Sequence, residues 1–233
     1  MQPSEMIRLE DVGKTFTVHS RGQTRDVFAS VQFNASQGEC VVLDGPSGIG
    51  KSSLLRAIYG NYLVSHGHIL VRGKRDVLDI TAADPDAIIE LRRTAIGYVS
   101  QFLRALPRIG TLDVVSEPLI ALGETRKGAH MKAAAMLKRL NVPESLWELP
   151  PMTFSGGEQQ RVNIARGLVA DLPILLLDEP TASLDRSNRE AVVSLIKEAI
   201  GRGTCAVGIF HDAEVRAALS DRMIDMRQFS LAA

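Results

Sequence analysis

The sequence predicts an α/β fold in which a mixed sheet is covered by helices. Short apolar runs at residues 40–43, 174–177 and 205–209 are too short to cross a membrane and are typical of buried parallel strands. Helical patterns alternate with the later runs, which implies parallel pairing through right-handed crossovers. Two short β patterns, at residues 7–10 and 31–33, predict an antiparallel region near the N-terminus.

The first core strand leads into a glycine-rich loop of the kind that holds phosphate. Residues 45–53 satisfy the spacing G-x-x-x-x-G-K-[ST], follow the strand at 40–43 and precede a helical pattern at 54–58. The loop aims backbone N–H groups inward, and the helix N-terminus adds about half a positive charge. Lys51 is expected to reach the β- and γ-phosphates, and Ser52 to bind Mg²⁺. The predicted phosphate contacts are Gly45, Pro46, Ser47, Gly48, Ile49, Gly50, Lys51, Ser52 and Ser53.

A second helix start further along the chain also suits an anion. Ser155, Gly156 and Gly157 open a predicted helix and offer free N–H groups, but no lysine accompanies them. The strand at 174–177 is then followed by two carboxylates. We expect Asp178 to hold Mg²⁺ and Glu179 to polarise the water that attacks the γ-phosphate.

With these motifs in this order, the chain resembles the ATP-binding cassette (ABC) family over nearly its whole length. The signature at 154–158 departs from the family's Leu-Ser-Gly-Gly-Gln at Phe154 and Glu158, and neither change touches the serine or the glycines that meet phosphate. Seven elements occur in the family's order: an aromatic for adenine at Phe16, the Walker A loop at 45–53, the Q-loop Gln101, the signature at 154–158, Walker B at 174–179, the D-loop at 183–185 and the switch histidine His211.

The resemblance implies an ABC-type P-loop NTPase core and an ATPase that uses ATP and Mg²⁺. Glu179, His211 and Gln101 are then the expected catalytic residues. The expected metal ligands are Ser52, Gln101 and Asp178. Beyond the Walker A loop, the expected ATP contacts are Phe16, Ser155, Gly156, Gly157 and Asp185.

The chain is expected to form one nucleotide-binding domain, residues 1–233, in three parts. Residues 1–101 would hold an antiparallel β subdomain and the phosphate-loop core, residues 102–172 an inserted helical subdomain, and residues 173–233 the remainder of the core. The middle part is predicted from apolar residues at helical spacing. These are Leu112, Val115 and Leu119, then Met131, Ala135, Leu137 and Leu140.

The inserted position of Ser155 also bears on assembly. Ser155 would lie away from the crevice that holds Lys51, so both helix N-termini are not expected to meet one ATP within a single copy. In the family they meet between two copies packed head to tail. The resemblance therefore implies a homodimer, or a heterodimer with a sibling ABC ATPase, in which the D-loop at 183–185 crosses the interface.

Composition excludes several other classes of protein. The 27 basic and 27 acidic residues cancel, which disfavours binding to nucleic acid through a basic face. Neither a targeting pattern near the N-terminus nor an apolar stretch of membrane-spanning length occurs. Cys40 and Cys205 fall within predicted buried strands and are expected to be reduced core residues. We therefore expect a cytoplasmic protein with no direct membrane insertion.

Four segments are similar to the L-type ATP-binding subunit of the carbon–phosphorus lyase system. They lie at residues 100–109, 140–147, 154–167 and 207–212. This resemblance implies a role in bacterial phosphonate metabolism, with carbon–phosphorus lyase core subunits as partners. The chain would then remodel the soluble lyase complex by ATP-driven dimer closure.

The alternative is the motor of a membrane ABC transporter, either a phosphonate importer or an exporter of the lipoprotein or macrolide type. The motor motifs are common to both hypotheses, so they do not separate them. The transporter hypothesis predicts that the segment from Phe102 to Ile109 grips a helix of a membrane partner. A cassette protein acting on nucleic acid is disfavoured by the balanced charge.

Overall fold

The computed structural model describes residues 1–18, 23–103 and 107–230. Part of the segment 100–109, namely residues 104–106, therefore lies outside the described residues. One sheet is antiparallel, in the order β2–β1–β4–β5. Its strands are β1 (Glu5–Val18), β2 (Gln23–Ser36), β4 (His66–Arg72) and β5 (Val77–Asp79).

The second sheet is parallel, in the order β6–β7–β8–β3–β9. Its strands are β3 (Cys40–Asp44), β6 (Ile96–Val99), β7 (Ile174–Asp178), β8 (Cys205–Ile209) and β9 (Arg222–Asp225). The helices are α1 (Lys51–Ile58), α2 (Pro85–Thr94), α3 (Thr111–Ala121), α4 (Arg126–Arg139), α5 (Gly156–Leu168), α6 (Arg186–Gly201) and α7 (Ala213–Leu219). Short 3₁₀ turns lie at Glu144–Leu146, Pro151–Thr153 and Met226–Phe229.

The antiparallel sheet contains the β region that we expected near the N-terminus, and the core strands pair in the separate parallel sheet. The division follows from the connections, because parallel neighbours need a crossover and antiparallel neighbours do not. Helices α6 and α7 supply crossovers between β7 and β8 and between β8 and β9, whereas β1 and β2 follow each other without a helix.

Alternate residues of the parallel strands enter two different hydrophobic clusters. Ile174 and Leu176 of β7 pack with the antiparallel sheet and α1, while Leu175 and Leu177 pack with helices α3 to α7. Fully burying one such side chain contributes roughly 1.5–3 kcal/mol. Helices α3, α4 and α5 thus share a core with the sheet, and the subdomain boundaries at residues 102 and 172 stay a prediction.

Helix α4 buries a different face from the one its periodicity suggested. Leu137 is buried as expected, but Met131 and Ala135 are exposed, and Ala129 and Ala133 are buried instead. The two faces have similar apolar spacing in the sequence. Small alanines let α4 approach α3 and α5 closely, so packing selects the alanine face.

The two cysteines are free and fully buried in neighbouring strands. Cys40 packs into the cluster on the helical side of the sheet, whereas Cys205 packs into the cluster on the opposite side. Burial raises the pKa of the Cys40 thiol to about 12. Both residues are therefore inert core side chains, as their strand positions predicted. Within the described parts of the chain, no helix combines the length and apolar character that a bilayer crossing requires.

Candidate nucleotide-binding site

The phosphate loop lies at the carboxyl edge of the parallel sheet, between β3 and α1. Helix α1 starts after Gly50, which has φ 105° and gives the helix no side-chain cap. Only glycine adopts this conformation readily, and an added Cβ would lie 2.7 Å from Cγ1 of Val27. The first N–H groups of α1 are consequently left for a ligand that accepts hydrogen bonds.

Lys51 reaches back across this loop. Its Nζ donates to the carbonyl oxygens of Gly45 at 2.5 Å and Pro46 at 2.9 Å. Burial lowers the pKa of Lys51, against the attraction of Glu179 and Asp44, which raises it. A partly dehydrated ammonium group directed into a loop of N–H donors suits a polyphosphate.

The side chains expected to bind metal meet at the end of β7. Ser52 Oγ donates to Oδ1 of Asp178 at 2.8 Å, and the Tyr98 hydroxyl donates to Oδ2 at 3.2 Å. Asp178 is fully buried, and burial raises its pKa although both donors lower it. Burial likewise raises the pKa of Tyr98 to about 12.

This donor set fits Mg²⁺, which prefers oxygen ligands and takes one or two carboxylates together with substrate phosphates. No cluster of three or more His, Cys, Asp or Glu side chains suited to a metal occurs in the described segments. The Gln101 amide donates a hydrogen bond to Glu179 and not to Ser52 or Asp178. Its role as a metal ligand stays a prediction.

Three expected catalytic side chains come together beside the metal ligands. His211 Nε2 lies 2.6 Å from Oε1 of Glu179, and Gln101 Nε2 donates to Oε2 at 3.4 Å. Glu179 has φ 53°, a left-handed conformation that is uncommon outside glycine, and its N–H donates to the carbonyl of Ile209. The fold thus holds this carboxylate in a costly backbone conformation between β7 and β8.

Glu179 and His211 line an open cavity of about 650 Å³ together with Lys51 and Ser52, whereas Gln101 and Asp178 are not among its lining residues. Phe16 lies at its wall, edge-on to Tyr62 with 5.7 Å between ring centroids, and Lys14 Nζ is 4.7 Å from the Phe16 ring centroid. Its size and its combination of an aromatic group with phosphate-binding donors suit a nucleotide. Among the described residues, four lining residues belong to no motif and were not expected from the sequence: Thr24, Asp26, Val27 and Ser230.

The signature residues lie apart from this cavity. Ser155 caps α5 in a capping box, in which the Glu158 carboxylate accepts from the Ser155 backbone N–H at 2.9 Å and from its hydroxyl at 2.6 Å. These hydrogen bonds lower the pKa of Glu158. Ser155, Gly156 and Gly157 are all at the surface or half-buried, and none of the three lines the cavity.

Asp185 of the D-loop is the N-cap of α6. Its carboxylate accepts from the backbone N–H of Asn188 at 2.9 Å and from the Asn188 side chain at 2.7 Å. The backbone bond from Asn188 contributes most to lowering the pKa of Asp185. The carboxylate is therefore engaged within its own helix, and its contact with ATP stays a prediction.

Comparisons with known proteins agree with this arrangement. A family profile described as ABC transporter matches residues 28–182. The chain is 32% identical over 222 residues to the macrolide export ATP-binding/permease protein MacB of Shigella flexneri, covering 95% of this chain and 33% of the relative. It is 32% identical over 223 residues to the lipoprotein-releasing system ATP-binding protein LolD of Shewanella sp. (strain MR-7), covering 95% of this chain and 93% of the relative.

A solved structure, the dimeric post-hydrolysis state of the ATP-binding cassette MJ0796 bound to ADP and Pi, matches with a TM-score of 0.85. The two chains are 30% identical, and 95% of each is covered. The chain belongs to the ABC transporter family. The ABC fold and an ATP-hydrolysing activity are thereby established.

The comparisons also bear on the two roles expected for this ABC ATPase, the transporter motor and the carbon–phosphorus lyase subunit. The MacB relatives are ATP-binding/permease proteins, and this chain spans about a third of their length. The LolD relative is an ATP-binding protein of similar extent. Both names are those of export or release systems. They support an ABC ATPase of the transporter type better than the carbon–phosphorus lyase role.

Proposed function

We propose that this ABC ATPase is the motor of a membrane transport system and that two cassettes close on two ATP molecules. The observation that carries the two-cassette arrangement is the separation of the two anion-binding helix starts. Lys51 and the start of α1 line the cavity, while Ser155 at the start of α5 does not. A second copy would bring its own Ser155 to the γ-phosphate, and a sibling ATPase would bring its own signature serine.

Hydrolysis would use the side chains gathered at Glu179. Its carboxylate would accept hydrogen from the attacking water and align the oxygen with the γ-phosphorus, while His211 holds the carboxylate in place. The water oxygen bonds to the γ-phosphorus as the bond to the β–γ bridging oxygen breaks, which leaves ADP and phosphate. Lys51 would balance the phosphate charge. Mg²⁺ on Ser52 and Asp178 would supply further neutralisation.

A groove outside the ATP cavity suits a partner. It has a volume of about 280 Å³ and lies where α2, α3 and α5 meet β6. Ile89 on its rim is 59% exposed, next to Arg93 and Pro118, and Phe102 in the adjoining loop is 74% exposed. An apolar rim beside cationic groups is what a short amphipathic helix of a permease would bind.

The transport assignment rests on the relatives. MacB is named as an ATP-binding/permease protein, so its cassette is joined to a permease in one chain. LolD is named as the ATP-binding protein of a lipoprotein-releasing system. We propose by similarity that this chain drives a permease that moves a macrolide-like or lipoprotein-like cargo out of the membrane.

The carbon–phosphorus lyase system remains the second candidate. It is favoured by the four segments at 100–109, 140–147, 154–167 and 207–212 that resemble its L-type subunit. Under this hypothesis the same motor would act on lyase core subunits in place of a permease. ATP closure would then remodel a soluble complex during phosphonate use.

Affinity purification of the tagged chain, from phosphate-replete and phosphate-starved cells, would separate the two candidates. The transport proposal expects a multi-span protein to co-purify from the membrane fraction, and Ile89→Glu to abolish its recovery. Met131→Glu places the same charge at another exposed apolar helix position and should leave recovery unchanged. Recovery of lyase subunits without a permease would contradict the transport proposal and support the second candidate.

A further inference from the structure

Tyr98 lies between the partner groove and the carboxylate expected to bind metal. It is a half-buried residue of β6 and one of the residues that line the groove. Its hydroxyl donates to Oδ2 of Asp178 at 3.2 Å. One side chain therefore contacts both places.

The Asp178 carboxylate is fixed by one hydroxyl on each oxygen. Oδ1 accepts from Ser52 at 2.8 Å, and Oδ2 accepts from Tyr98. Ser52 is itself an expected magnesium ligand, so its hydroxyl must reorient when it binds metal. Tyr98 is not an expected magnesium ligand, so its hydrogen bond to Asp178 can persist with metal bound.

Packing holds the Tyr98 ring in this position. It lies against Tyr59, with 4.9 Å between ring centroids and 33° between ring planes. The Arg92 guanidinium covers Tyr59, with its Cζ 4.7 Å from the ring centroid. The hydroxyl is thus directed at Asp178 by a stack of side chains, which is how outer-shell partners orient metal ligands.

We propose that Tyr98 is a positioning residue that holds the Asp178 carboxylate in the orientation that binds the magnesium of Mg·ATP. The proposal goes beyond the transport role and rests on the proposed metal role of Asp178. It does not depend on which partner occupies the groove.

The test compares nucleotide binding with and without metal, using a fluorescent ATP analogue. Tyr98→Phe keeps the ring and its stack but removes the hydroxyl. We expect the Mg²⁺ concentration that half-maximally tightens nucleotide binding to rise about 10-fold or more, which is the usual effect of losing an outer-shell partner. Binding of the analogue in EDTA should be unchanged, because the phosphate loop is intact.

Two further variants make the result decisive. Tyr59→Phe removes a hydroxyl from the neighbouring ring of the same stack and should titrate with Mg²⁺ like the wild type. Asp178→Asn should lose most of the Mg²⁺ effect. A wild-type Mg²⁺ titration for Tyr98→Phe beside a defective Asp178→Asn would overturn the Tyr98 proposal alone. A wild-type titration for Asp178→Asn would overturn the proposed metal role as well.

Discussion

Helices α1 and α5 both begin at a site expected to meet the γ-phosphate, but they begin in different ways. Helix α1 follows Gly50 in a left-handed conformation and has no side-chain cap. Helix α5 follows Ser155 in a complete capping box with Glu158. The first helix start depends on a ligand to satisfy its N–H groups, whereas the second is partly satisfied by its own side chains.

This difference indicates an order of events. The α1 start has a lysine, a cavity wall and the nearby Asp178, so it can bind Mg·ATP within one copy. The α5 start has no lysine, and the Glu158 carboxylate adds negative charge 2.6 Å from the Ser155 hydroxyl. We therefore expect the α5 start to add to an ATP that is already bound, and to do so from the other cassette.

Lys51→Ala should weaken ATP binding at the start of α1. It removes a buried, hydrogen-bonded ammonium group, and such truncations typically cost about 2–5 kcal/mol. ATP affinity measured by calorimetry should therefore fall by tens to thousands of fold. Lys127→Ala removes an exposed lysine of α4 and should bind ATP like the wild type. Wild-type affinity in Lys51→Ala would show that the loop has been misassigned.

Ser155→Arg should impair ATP hydrolysis, which depends on the start of α5, and leave ATP binding at the start of α1 intact. The arginine places bulk where the opposing γ-phosphate must approach, and losing one well-placed transition-state donor typically lowers kcat about 10² to 10³ fold. Steady-state ATPase assays should show this loss, while ATP binding stays near the wild-type value. Met131→Arg, at another exposed position of the helical region, is the matched control. Normal hydrolysis by Ser155→Arg would mean that Ser155 does not act on ATP.

Ser155→Ala should have the smallest effect of the three substitutions on the protein, a modest loss of stability. The N-cap hydroxyl of α5 is lost, which typically lowers the free energy of unfolding by about 1 kcal/mol. Gly156→Ala, at the next position, adds a Cβ that has no atom within 4 Å. Its stability should equal or exceed that of the wild type, because alanine favours the helix. Urea unfolding curves measure both, and equal stability of Ser155→Ala and wild type would argue against the capping box.

The strands, the phosphate loop and the starts of α1 and α5 were predictable because each has a strong local pattern. The run at 174–177 is apolar throughout and is buried on both faces of the sheet. The spacing of the glycines and Lys51 is compatible with few structures other than a phosphate-binding loop. The family assignment rested on the order of these motifs. It was confirmed by the comparisons.

Other features depend on contacts between distant segments and were not predictable. The exposed face of α4 carries Met131 and Ala135, and only packing against α3 and α5 shows that the alanine face is buried. Tyr98 looked like one more residue of an apolar strand, although a hydroxyl in such a strand was a signal that it needed a partner. Nothing local revealed the left-handed backbone of Glu179.

The closure of two cassettes on ATP is tested most directly by sedimentation velocity of Glu179→Gln. The glutamine keeps the shape of the side chain but lacks the negative charge, so ATP should bind and remain unhydrolysed. We expect a monomer with Mg·ADP, a dimer with saturating Mg·ATP, and a return to monomer when Ser155→Arg is added to the same chain. A Glu179→Gln protein that stays monomeric with ATP bound would contradict this closure. A dimer that persists when Ser155→Arg is added would contradict it as well.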